Sequence, residues 1–280
     1  MFRFFLITML LSTMSLTVFA ITVEEADLLY ADRGTDVANA QEAAKIYEQL
    51  ATESRDNYTK ALMLYKESEA IYYVGTNIEG YWPIEIKGVA ETPDDLKKDR
   101  KAIHDSAVEK IKNAIPLFAG MPESPEKIEL LAKVTYIYGS NLGKWGENNG
   151  PLSSLAKWPE LKAKMLEILK MKQAHIADFG AYRVLGRAYL KLPRIAGGSN
   201  DQSLRYLQMA YDGSLNELGE CIHGLNVLYL AETLIDMKKK TEARDILQKF
   251  INSDFNTLNP SRIPETKGEQ EFAKILLDRI

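Results

Sequence analysis

The chain is poor in the residues on which several common chemistries depend. It has a single cysteine, Cys221, so no intrachain disulfide can form. In its setting, Gly-Glu-Cys-Ile-His-Gly-Leu, that thiol reads as a small buried hydrophobe rather than a nucleophile. The three histidines, His104, His175 and His223, stand far apart in the sequence. Glu220 and His223 make one E-x-x-H on an expected helix, and His175 with Asp178 could share another helix face. A di-iron centre needs two such E-x-x-H pairs and further carboxylates, so no metal and no cofactor is expected. The sequence lacks a glycine-rich phosphate loop, an H-E-x-x-H, paired C-x-x-C motifs and a G-x-S-x-G. Positive charge is not in excess either. A formal net charge of −4 argues against a nucleic-acid binder, which would need a basic face.

Strand-like alternation is also missing. From Ile21 onward the apolar residues recur at intervals of three and four, the period of a helix face. With 46% hydrophobic and 26% charged residues the chain has ample material for a core and is not of disordered composition. The expectation is an all-α fold.

What is present begins with one long apolar run. Met1 to Ala20 has an early Arg3, an apolar stretch and then Val18-Phe19-Ala20, with small residues placed as signal peptidase requires. It is read as a cleaved secretory signal. No cysteine follows it, so no lipoprotein anchor is expected, and the product should be periplasmic with no membrane span after cleavage. Residues 21–280 are then expected to form one helical domain.

The strongest internal pattern lies at Phe179 to Ser214. Tyr182, Leu185, Gly186 and Tyr189 fall on the W-x2-L-G-x2-Y template of a tetratricopeptide first helix, and Ser203, Leu207 and Ala210 on its second-helix positions. Gly186 would let the neighbouring helix approach closely. Pro193 would end the first helix, and Ser199, Asn200 or Asp201 would cap the second. Weaker versions of the pattern recur at Ala43, Tyr47 and Leu50; at Ala107, Ile111 and Ala114; and at Val227 to Leu234 followed by Ala243, Leu247 and Phe250. About five helix pairs are expected, stacked as a tetratricopeptide-like solenoid with irregular long loops. Glu265 to Ile280 would be a capping helix, since an end repeat buries its face only against a neighbour. Gly139-Ser140-Asn141-Leu142-Gly143-Lys144-Trp145-Gly146 reads as a helix end with close packing or a turn, Glu147 to Pro159 as an enlarged loop, and Trp82 as an aromatic on a Gly/Pro-bounded loop.

The leader, the irregular repeats, YGSNLGKW at Tyr138 to Trp145, and GAYRVLGRAYLKLP followed by GGSNDQSLRYLQMAY resemble one family. It is the T component of tripartite ATP-independent periplasmic (TRAP) transporters, the TatT-like proteins. The resemblance implies a helical-repeat protein that associates with the solute-binding P component, forms homo-oligomers and has no catalytic residue. It departs from the family in lacking the lipoprotein cysteine. Tyr138, Asn141, Trp145, Gly197, Gly198 and Trp82 are the candidate ligand or partner contacts. Asn141 would offer an amide at a helix end, or cap that end, and Trp145 would form an apolar wall to a small-molecule pocket. A second reading is a generic periplasmic adaptor that binds a peptide or an envelope-assembly partner. That reading predicts a polar groove, whereas the transporter role predicts an enclosed apolar pocket.

Overall fold

A computed structural model describes residues 22–81, 83–86 and 89–280, with the side chains of residues 151 and 152 aside. Met1 to Ala20, expected above to be a secretory signal, and Trp82 lie outside the described residues. Among these residues the protein is all-α, with isolated bridges at Ile86–Ala90 and Leu215–Cys221 in place of strands.

The first hairpin is α1 (Val23–Ala31) and α2 (Val37–Glu53); the second is α3 (Asn57–Asn77) and α4 (Asp94–Lys112). Then come α5 (Pro125–Asn149) with α6 (Pro151–Lys170), α7 (Ile176–Lys191) with α8 (Asn200–Gly213), and α9 (Gly224–Asp236) with α10 (Lys240–Asn252). A short α11 (Phe255–Leu258) leads to α12 (Ile263–Leu277). Thr22, Asp36, Asp56, Ser124 and Ser199 each accept a backbone N–H from the first turn of the helix that follows. Such caps satisfy donors that a helix start otherwise leaves unpaired.

Each helix packs on its sequence neighbours. In addition α3 touches α5, α5 touches α7, α7 touches α9, and α9 touches α12, so these helices form a continuous layer. The small and apolar residues at repeat spacing are the ones that pack: Leu185, Ser203, Leu207, Ala210, Val227, Ala231, Ala243 and Leu247 are all fully buried. A Cβ on Gly186 would stand 2.5 Å from Leu207 Cγ. Helices α7 and α8 therefore meet at that glycine as closely as the backbone allows.

Four local expectations are corrected. The glycines of Gly139 to Gly146 do not end a helix, because α5 runs through them to Asn149. They serve approach to α6: a Cβ on Gly139 would collide with Met165, and one on Gly146 would stand 3.2 Å from Ser154 Oγ. The enlarged loop expected over Glu147 to Pro159 shrinks to one residue, Gly150 at φ +86°, after which Pro151 opens α6. Pro supplies a pre-set φ where a first-turn N–H has no partner in any case, and Pro159 lies inside the helix. Glu220 and His223 share no helix, for α9 starts at Gly224. Finally, Ala177, Asp178 and Phe179 have φ of 52°, 51° and 63°, a left-handed turn that takes Asp178 off any face shared with His175. Such a turn costs roughly 1–2 kcal/mol per residue. It is held by Arg183, which donates to the Ala177 and Asp178 carbonyls at 3.0 and 3.2 Å, and by Asn226, which donates to the Asp178 carbonyl at 3.0 Å.

The last helix does more than cover α10. Arg33, in the turn of the first hairpin, pairs with Glu265 of α12 at 3.0 Å and donates to the Ser261 carbonyl at 2.7 Å. Arg262 reaches the fully buried Glu269 at 2.7 Å, and Tyr81, from the segment joining α3 to α4, donates to the same carboxylate at 3.0 Å. The chain thus closes on itself, with α12 as the clasp. Gly186→Leu is expected to lower stability by about 1–3 kcal/mol through overpacking; thermal melts beside wild type test it, and an unchanged midpoint would refute the placement.

Candidate functional site

Between these helices lies a cavity of about 630 Å³ that is partly open to solvent. Tyr72, Gly75 and Thr76 of α3, Gly139, Gly143 and Gly146 of α5, Trp158 and Leu161 of α6, Val184 and Ala188 of α7 and Tyr229 of α9 form its walls. Pro83, Ile84 and Glu85 close another side. This segment is held because Ile84 and Ile86 bury against the α9–α12 core and Tyr229 Oη donates to the Pro83 carbonyl at 3.4 Å. The floor comes from α4, whose buried stripe reads Leu96, Arg100, His104, Ala107, Ile111. At a spacing of three or four, those positions share a helix face, so Arg100 and His104 occupy places where the pattern calls for apolar residues.

His104 is fully buried. Its Nδ1 lies 2.8 Å from Asn141 Oδ1. The Asn141 amide nitrogen donates to the Ile137 carbonyl at 3.0 Å, so Oδ1 must accept and His104 Nδ1 carries the proton. Burial pushes the imidazole down to about 4, and the ring is neutral at pH 7.

The charged side chains are arranged in a chain. Lys144 contacts Glu147 at 2.8 Å, Glu147 contacts Arg187 at 3.4 Å, Arg187 pairs with Glu232, and Lys191 reaches Glu232 at 2.5 Å. Arg187 also lies over the Tyr229 ring, 4.4 Å from its centroid. Desolvation opposes the Glu147 charge, but Lys144 and Arg187 outweigh it and hold the carboxyl down at about 2. Burial likewise works against the Lys144 ammonium, and Glu147 holds it above the usual lysine value. Seven basic residues line the cavity against three acidic ones, in a protein whose formal net charge is −4. Low-dielectric walls concentrate such an imbalance into a local field.

Of the residues singled out from sequence, none of the five described lines this cavity. Tyr138 is buried and donates to Glu160. Asn141 is buried in mid-helix and ties α5 to α4 through His104, so it neither ends a helix nor faces the cavity. Trp145 is half-buried in α5. Gly197, at φ +89°, and Gly198 shape the α7–α8 loop; a Cβ on Gly198 would run into the Leu192 carbonyl. That loop does reach the cavity, through Leu192 and Pro193. The residues that sequence inspection passed over are Tyr72, Arg100, Lys144, Arg187 and Tyr229. Only Arg100 and His104 carried a legible signal, as polar interruptions of an apolar stripe.

Among the described residues no group of three or more His, Cys, Asp or Glu is placed to hold a metal ion, and no helix is long and apolar enough to cross a membrane. No family model matches the chain, and no curated protein matches it.

The neutral His104 sets a pH dependence. Its folded-state value of about 4 lies below the usual 6.5 or so of an exposed histidine, so the unfolded chain binds the proton more readily. The contribution is fully present above about pH 6.5 and is lost as pH falls towards 4, about 3 kcal/mol in all. Denaturant unfolding across this range should show a wild-type slope steeper by about one proton than that of His104→Gln. Equal slopes would contradict a neutral His104.

Proposed function

We propose that this protein is a periplasmic accessory subunit of a TRAP-type solute transport system. In this role it associates with the solute-binding P component, and its cavity receives a small molecule without transforming it. The observation that carries the proposal is the cavity itself: about 630 Å³, walled by Tyr72, Trp158, Leu161 and Tyr229 within a stack of helical hairpins. Sites of this size that combine apolar and aromatic surface with polar groups are suited to ligands of drug or metabolite size. The alternative of a peptide adaptor calls for a long polar groove, and a cavity of this volume favours a compact ligand over an extended chain. The resemblance in YGSNLGKW and in the Gly180 to Tyr211 block supplies the transporter context, and the leader-like Met1 to Ala20 supplies the compartment.

The loop carrying Gly197 and Gly198 offers a contact for the partner. Its tip residue, Ile195, is 100% exposed, between Pro193 and the turn at Gly197. A single exposed apolar side chain is ordinary on a protein surface, so its value here is as a marker for testing.

Affinity purification of the tagged protein from native periplasm, under conditions that keep weak complexes, is expected to recover a solute-binding protein. Ile195→Asp should reduce that recovery with no loss of thermal stability. Recovery of envelope-assembly proteins in place of a solute-binding protein would overturn the transporter role in favour of the adaptor. Gly143→Leu separates the cavity from the partner surface. Gly143 lines the cavity, and a Cβ there meets nothing closer than Leu161 Cδ2 at 3.8 Å. The larger side chain should fill the space and abolish small-molecule binding while leaving stability equal to wild type or higher, since Gly is the poorer helix former by about 1 kcal/mol.

A further inference from the structure

One cation on the cavity wall is not accounted for by the fold. Lys144, Arg187 and Lys191 are matched to Glu147 and Glu232, Lys97 to Glu85 at 3.2 Å and Lys157 to Glu160 at 3.5 Å. Arg183 has no carboxylate, but it is spent on the left-handed turn, on Asn226 and on the Tyr136 hydroxyl at 2.6 Å. Arg100 is different. It is 4% exposed and lines the cavity. Its Nη2 donates to the carbonyls of Ile78 (3.0 Å) and Gly80, and its Nε has no hydrogen-bond partner among the described residues. No acidic side chain forms an ion pair with it among those residues, and the only acid exerting a pull is Glu79. Desolvation lowers the guanidinium to about 10, still protonated at neutral pH. A buried cation without a counter-charge is costly, and an unsatisfied buried donor adds to that cost. A ligand that completes such a group is one physical reason for a fold to retain it.

We propose that the cavity holds an amphipathic anion, a carboxylate or phosphate monoester with an apolar body, whose acid group pairs with Arg100 while its body lies against Tyr72, Trp158, Leu161 and Tyr229. A guanidinium matches a two-oxygen acid group in geometry as well as charge. The excess of basic residues on the walls draws the anion in. The remaining apolar and aromatic surface takes the chain. The inference rests on the cavity being a ligand site and does not require the transporter role.

Calorimetric titration of the full-length protein with decanoate, decyl phosphate and decanol tests it. At least one acid should bind about 10- to 100-fold more tightly than decanol, the range expected for a hydrogen bond to a charged group. Whichever acid binds better identifies the headgroup as carboxylate or phosphate. Arg100→Gln should abolish the preference and leave decanol affinity unchanged, whereas Arg100→Lys should keep the acid preference. The wild-type comparison of acid with alcohol stands even if Arg100→Gln does not fold, which far-ultraviolet circular dichroism would report. Equal binding of all three ligands to wild type, or an acid preference that survives in folded Arg100→Gln, would overturn the role of Arg100 and leave the cavity as an apolar site. Failure of all three to bind would remove the ligand site and this inference with it.

Discussion

The structure depends on how a single buried carboxylate is satisfied. Glu269 is fully buried on α12, and a carboxylate there is tolerable only with charge and hydrogen bonds supplied to it. Arg262 supplies the charge and Tyr81 a hydrogen bond, both to Oε1, while Oε2 is buried with no hydrogen-bond partner among the described residues. Arg262 is drawn further into the same corner by His223, whose Nε2 lies 2.8 Å away. Tyr81 belongs to the connection between α3 and α4, far from α12 in sequence, so satisfying Glu269 fixes where that connection runs. Pro83 and Ile84 follow it on to α9 and become a wall of the cavity. Beside it, Arg33 and Glu265 tie the first hairpin to the last helix. A stack of hairpins held only by neighbour contacts would stay open; here two ion pairs and a tyrosine shut it.

Closing the stack changes the meaning of the residues inside. A row of basic side chains along an open surface would be solvated and of little consequence. Enclosed, the same groups must be compensated, and most are: Lys144, Glu147, Arg187, Glu232 and Lys191 form one continuous alternation of sign. The fold also spends Arg183 on a backbone turn that three non-glycine residues could not otherwise hold at low cost. Against that accounting, Arg100 stands out as a buried charge with no ion-pair partner among the described residues. The acidic total of the protein thus conceals a cavity lined by more basic than acidic residues.

Small residues do the complementary work. Gly186 lets α8 sit on α7, and Gly139 and Gly146 let α6 sit on α5. On the same α5, Gly143 has no such neighbour and opens onto the cavity. One helix therefore uses its glycines in two ways, to admit a neighbouring helix and to leave a space. The distinction lies only in which way each faces.

Local sequence determined the helices, their caps and their pairing, because these follow from contacts within one or two turns and from apolar spacing that a single strand of text displays. Leu185, Gly186, Leu207 and Ala210 could be placed in a core from their intervals alone. The same intervals misplaced the end of α5 and the loop after it, since a glycine that ends a helix and a glycine that admits a neighbour are written identically. The site was legible only as Arg100 and His104 standing in an apolar stripe. That Arg100 meets a cavity with Tyr229, some hundred and thirty residues on, required the chain to curl and close, and closure is set by long-range pairs such as Tyr81 with Glu269 and Arg33 with Glu265. Tertiary structure alone decided these, because an ion pair between distant residues has no period, no spacing and no local propensity by which a sequence could announce it.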